Sequence, residues 1–96
     1  MNDTLNTIWV FHGEGGRFSS GVFTSIEKAE IWINRHKLSG VLTEYPIDEG
    51  VYDWALFNSF FNVKKQSQMT PNFIQQFTSA SQDHYHYENG IRDVLS

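Results

Sequence analysis

The chain has 96 residues, 40% of them apolar and 16% aromatic, with eight Phe, four Tyr, three Trp and no Cys. That is one domain with one core built on large rings. It is folded rather than disordered, since only 19% of residues are charged, and it has neither a disulfide framework nor a thiolate metal site. Seven basic against eleven acidic residues, a formal charge of −4, disfavour nucleic acid, whose phosphates call for a cationic surface, and suit a basic protein partner.

Residues 1–6 read as a polar tail, without the basic flank and apolar run of a signal peptide. No segment nears the ~18 apolar residues of a membrane span. The expectation is a single cytoplasmic domain over 1–96 that makes no membrane contact. Residues 8–12 are β-branched and aromatic on both parities, as in a central strand covered on both faces. A glycine-rich loop over 13–16 then leads to the second arm of a hairpin over 17–23. Because a strand rather than a helix follows those glycines, they read as a hairpin loop and not a phosphate cradle.

Thr24 and Glu27 form a capping box, and the helix after them runs from about 25 to 38. At about 100° per residue, Ile26, Ala29, Trp32, Ile33 and His36 share one core-facing sector. Ile31 falls outside it. Arg35 and Lys37 suit the helix's negative end, and Ser39 with Gly40 supplies the left-handed residue that stops it. Residues 41–45 form the third strand, ended by Pro46. A strand reached through a helix after a hairpin implies a mixed sheet.

After a turn at 47–50, residues 51–61 read as a short helix apolar around more than half its girth, and so nearly buried. Residues 62–72 are an internal polar loop, with Thr70-Pro71 opening another helical turn that carries Phe73, Ile74 and Phe77. The last strand spans 84–88, Asn89-Gly90 turns the chain, and 91–96 form a docked tail or a helical turn. The fold class is α+β: a mixed sheet of about four strands with the main amphipathic helix on one face and short aromatic-rich helices on the other. Neither strand order nor oligomeric state is written in the pattern.

Three sets of residues carry candidate chemistry. The two-residue rhythm of 84–88 places His84, His86 and Glu88 on one side of a strand and Tyr85 and Tyr87 on the other. Tyrosines inward and histidines in solvent is the plain expectation. The alternative is a metal site of His84, His86 and Glu88, joined by His12 if the last strand pairs beside the first. A second enzymatic reading pairs His12 or His86 with Glu88 or Glu14, aided by Arg17, as the acid and base of a small hydrolase. Against it, His12 reads as a satisfied core histidine under the hairpin. The third set is acidic and aromatic: Glu44, Asp48, Glu49 and Asp53, with Tyr45, Tyr52 and Trp54 interleaved and no Lys or Arg among them. Such a segment suits a basic surface, the rings anchoring and the carboxylates speeding encounter.

The segments WVFHG (9–13), LSGVLTEYP (38–46), VYDWA (51–55) and SASQDHYHYENG (79–90) together resemble a family of small bacterial proteins of unknown function over roughly residues 8–90. The resemblance implies a compact single-domain bacterial protein and brings no activity, cofactor or catalytic residue with it. In size and charge the chain is also similar, more loosely, to immunity proteins that neutralise bacterial toxins. The expected function is a non-enzymatic interaction module without a cofactor, an immunity or antitoxin protein covering a basic toxin through Glu44, Tyr45, Asp48, Glu49, Tyr52 and Asp53. The alternative is a small metal-dependent or acid–base hydrolase centred on His84, His86 and Glu88.

Overall fold

The computed structural model describes residues 5–94. Five strands, β1 (Thr7–Gly13), β2 (Gly21–Phe23), β3 (Gly40–Pro46), β4 (His84–Glu88) and β5 (Ile91–Arg92), form one sheet in the order β2-β1-β3-β4-β5. The α+β class is as expected, but the sheet has one strand more than the pattern implied and every pairing is antiparallel rather than mixed. The cause is topological. β2 and β3 run the same way and are joined through helix α1 (Ile26–His36), but β1 lies hydrogen-bonded between them, so the crossover never creates a parallel pair.

The extra strand comes from the chain's end. Asn89 (φ 51°) and Gly90 (φ 86°) are both left-handed, the geometry of a two-residue hairpin turn that matches the strands' twist. That turn sets Ile91 opposite Glu88. Residues 91–92 are therefore an edge strand and not a tail or helical turn. Leu95 and Ser96 lie outside the described residues, as do residues 1–4 of the expected tail.

Opposed residues in antiparallel strands share a face. The register Trp9↔Phe23, Phe11↔Leu42, Leu42↔Tyr85 and Gly40↔Tyr87 therefore gathers these side chains on one side of the sheet. α1 lies there, and its Ala29 and Ile33 complete a buried core with Trp9, Phe11, Leu42 and Tyr87, walled by Phe23, Ile26, Trp32, Leu38 and Tyr85. The fully enclosed Phe11, Ile33 and Leu42 contribute roughly 1.5–3 kcal/mol each. His36, expected in the helical stripe, is exposed and touches only the edge of Trp32 among rings.

Both ends of α1 differ by a step from the capping reading. Ser25, not Thr24, is the N-cap, its hydroxyl accepting from the Lys28 amide at 3.2 Å. Lys37 at φ 56° is the left-handed residue that stops the helix. Gly40 serves another purpose: it sits opposite Gly13, where a side-chain carbon would be driven into the His12 carbonyl oxygen.

The remaining helices do not close over the opposite face. α2 (Val51–Phe57) ends four residues before its expected limit, and only Tyr52 and Ala55 on it are buried. With a 3₁₀ turn (Gln66–Met69) inside the expected 62–72 loop, and α3 (Pro71–Gln75), it builds a second aromatic cluster. There the rings of Tyr52, Phe61, Phe73 and Phe77 lie 4.9–6.2 Å apart, mostly edge-on or tilted. Thr70 caps α3 by accepting from the Phe73 amide, with Pro71 at the first helical position, as expected. The far face of the sheet holds no buried side chain. Ile8, Val10, Val41, Thr43 and Tyr45 are half-buried, and His12, Val22, His84, His86, Glu88 and Ile91 are exposed.

Candidate functional site

The final strand is oriented as its alternation implied. Tyr87 is buried and Tyr85 half-buried against α1's side, while His84, His86 and Glu88 point outward. An acidic latch fastens this strand. The Tyr87 hydroxyl donates to Glu30 Oε2 at 2.6 Å, Arg92 Nε donates to the same oxygen at 2.7 Å, and the Arg92 guanidinium stands 4.2 Å from the Tyr85 ring centre. Burial first, and then the Glu30 carboxylate, push the Tyr87 phenol far above its ordinary value, and the bond to Glu30 raises the Arg92 guanidinium. These partners lie 57 and 62 positions apart, and no local pattern couples them.

The four-residue metal set is not assembled. β3 lies between β1 and β4, so His12 and His86 flank Val41 on either side, about 10 Å apart at their Cα atoms. Along β4, Glu88 stands a further two-residue step, about 6.7 Å, beyond His86. Among the described residues no three His, Asp or Glu side chains are gathered to hold an ion.

A cleft of about 570 Å³ opens where the β1–β2 loop meets β3 and β4, and His12, Glu14, His86, Glu88 and Asp93 line it with the backbone of the Gly13–Gly16 loop. Its location brings together the four residues of the acid–base reading. Arg17 is not in its wall. His12 is exposed rather than a core histidine, because its parity in β1 turns it to the open face. Its Nε2 lies 2.7 Å from the Gly16 carbonyl, and since a carbonyl only accepts, Nε2 carries the proton and Nδ1 is the acceptor in the neutral ring. His84 is held the opposite way, Nδ1 donating to the Gln82 carbonyl at 2.8 Å.

The acidic segment divides. Glu44 faces the core side of the sheet and accepts from the Thr7 hydroxyl at 2.6 Å. Tyr45 is half-buried on the open face opposite Ile8. Tyr52 is buried, its hydroxyl donating to the Gln68 carbonyl at 2.8 Å. Trp54 packs on Phe60. Asp48 (φ 62°) and Glu49 in the turn, and Asp53 in the first turn of α2, are exposed. The residue that the pattern did not single out is Phe57. It is 85% exposed, one helical turn beyond Asp53 on the same side of α2. Large apolar side chains further along the chain are also open: Phe60, Val63, Met69 and Ile74. Its signal was the i, i+4 spacing from Asp53, which a reading of the helix as nearly buried obscured.

No helix among the described residues is long and apolar enough to cross a membrane. A family model described as "Domain of unknown function (DUF7710)" matches residues 8–93, and the chain belongs to that family. No curated protein and no solved structure matches the chain.

Proposed function

We propose that this family member is a cytoplasmic protein-interaction module, an immunity or antitoxin protein that covers a basic bacterial toxin through the acidic and aromatic surface of α2. The observation that carries the reading is Phe57, a phenyl ring 85% exposed one helical turn beyond the exposed carboxylate of Asp53, on the segment that also exposes Asp48 and Glu49 before the helix. A ring held in water without a structural role is what an interface anchor requires, and surrounding charge steers a partner of opposite sign. No Lys or Arg occurs between Lys37 and Lys64, so the segment's field is not cancelled from within. Glu44 and Tyr52, committed to internal hydrogen bonds, hold the surface in place, and Tyr45 borders it from the open sheet face.

The test is affinity capture from the native host with the wild-type chain and with an Asp48→Lys, Glu49→Lys, Asp53→Lys variant of unchanged circular dichroism. The reading expects a basic protein retained by the first and lost by the second. Equal retention by both removes it. The acid–base hydrolase is a second reading, favoured by the shared cleft of His12, Glu14, His86 and Glu88. It expects a hydrolytic activity abolished by His12→Ala or His86→Ala and untouched by the charge reversal.

A further inference from the structure

We infer that His84 and His86 form a two-imidazole chelate for a divalent transition-metal ion of the nickel, copper and zinc class. The site is separate from the α2 surface and does not depend on it. Alternation along β4 puts both rings on the open face of the sheet, with their centres 5.6 Å apart and their planes at 82°. Two imidazoles bound side by side to one ion, each nitrogen about 2.0–2.1 Å from it, have centres about 5 Å apart. The observed spacing is close to that requirement, and both side chains are exposed.

One ligand is already oriented. The hydrogen bond from His84 Nδ1 to the Gln82 carbonyl settles the tautomer and leaves Nε2 as a free acceptor. That carbonyl-anchored arrangement is the one metal-bound histidines use to hold their ring and raise its basicity. Gln82 is itself fastened, buried, with its side-chain amide donating to the Glu44 carbonyl at 3.0 Å, so the anchor does not drift. The neighbours of the pair on this face are Val41, Thr43, Glu88 and, across Val41, His12. None is a lysine or arginine, and Glu88 adds a favourable field without being a ligand. With no third protein ligand among the described residues, water completes the coordination, and imidazole preference selects borderline ions over calcium or magnesium.

The experiment is titration of NiCl₂ into the untagged chain by calorimetry, with amide NMR spectra recorded alongside. The expected result is about one ion per chain, with His84→Ala and His86→Ala each weakening binding at least about tenfold. His36→Ala, on α1, should leave it unchanged. Paramagnetic broadening should centre on residues 82–88 and their β3 partners 41–43. Nickel bound equally by the His84→Ala, His86→Ala double variant, no measurable binding, or broadening centred on the Gly13–Gly16 loop would each overturn the inference. Because broadening is read on the wild-type chain, the outcome does not hang on a variant's folding.

Discussion

Replacing Glu30 tests how the histidine-bearing strand is held. In Glu30→Ala the buried Tyr87 hydroxyl loses its acceptor, and an orphaned buried donor costs about 1–3 kcal/mol. The Arg92 pair is lost as well, but both side chains are about a third exposed, at 37% and 34%, so solvent screening limits that part to under about 1 kcal/mol. The sum is about 1–4 kcal/mol, or a fall in melting temperature of about 4–8 °C for each of those kcal/mol in a domain this small. Glu30→Gln keeps an acceptor and should lose only about 1 kcal/mol, and Tyr87→Phe, which removes the donor, a similar amount. The double variant Glu30→Ala, Tyr87→Phe should be more stable than the sum of its parts implies, by about 1 kcal/mol, because no hydroxyl is left stranded. Urea unfolding followed by tryptophan fluorescence reads all four. A loss under about 0.5 kcal/mol in Glu30→Ala, or strict additivity in the double variant, refutes the latch.

Three further predictions follow from the same geometry. Ile33→Ala, at a fully buried position, should cost about 2–5 kcal/mol, whereas Ile31→Ala, 63% exposed, should stay within about 0.5 kcal/mol; equal losses would contradict the placement of α1. Gly40→Ala should leave little folded protein in a soluble-expression assay, because its new carbon meets the His12 carbonyl and the Gly13 backbone. Folded Tyr87 holds its proton more tightly than the unfolded chain does. Its contribution is therefore complete at neutral pH and is lost as pH rises past the ordinary tyrosine value of about 10. The urea midpoint should fall between about pH 8 and about pH 11, and fall less steeply in Tyr87→Phe; identical slopes would contradict the assignment.

What the sequence disclosed and what it hid divide along contact distance. The period-two alternation of 84–88, the apolar stripe of α1 apart from His36, and the Thr70-Pro71 helix start are local, and each appears where the pattern put it. The position of β1 between β2 and β3 is a non-local choice that the alternation of 8–12 does not encode. It turns a mixed sheet into an antiparallel one and sets His12 across a strand from His86. The helix of 51–57 misled for a physical reason: apolar rings around its girth look the same whether they are buried or, as with Phe57, held open. The Glu30–Tyr87–Arg92 latch joins residues 57 and 62 positions apart, beyond the reach of any periodicity.

The most direct test of the proposed binding surface is the affinity of the purified partner for Phe57→Ala. A ring that anchors an interface costs about 2 kcal/mol or more when truncated, a loss of about 30-fold. A ring this exposed contributes almost nothing to folding, so the variant should unfold at the wild-type urea midpoint while binding collapses. Affinity within about twofold of wild type, or a binding loss matched by a loss of fold, contradicts the claim that the α2 surface is where this domain works.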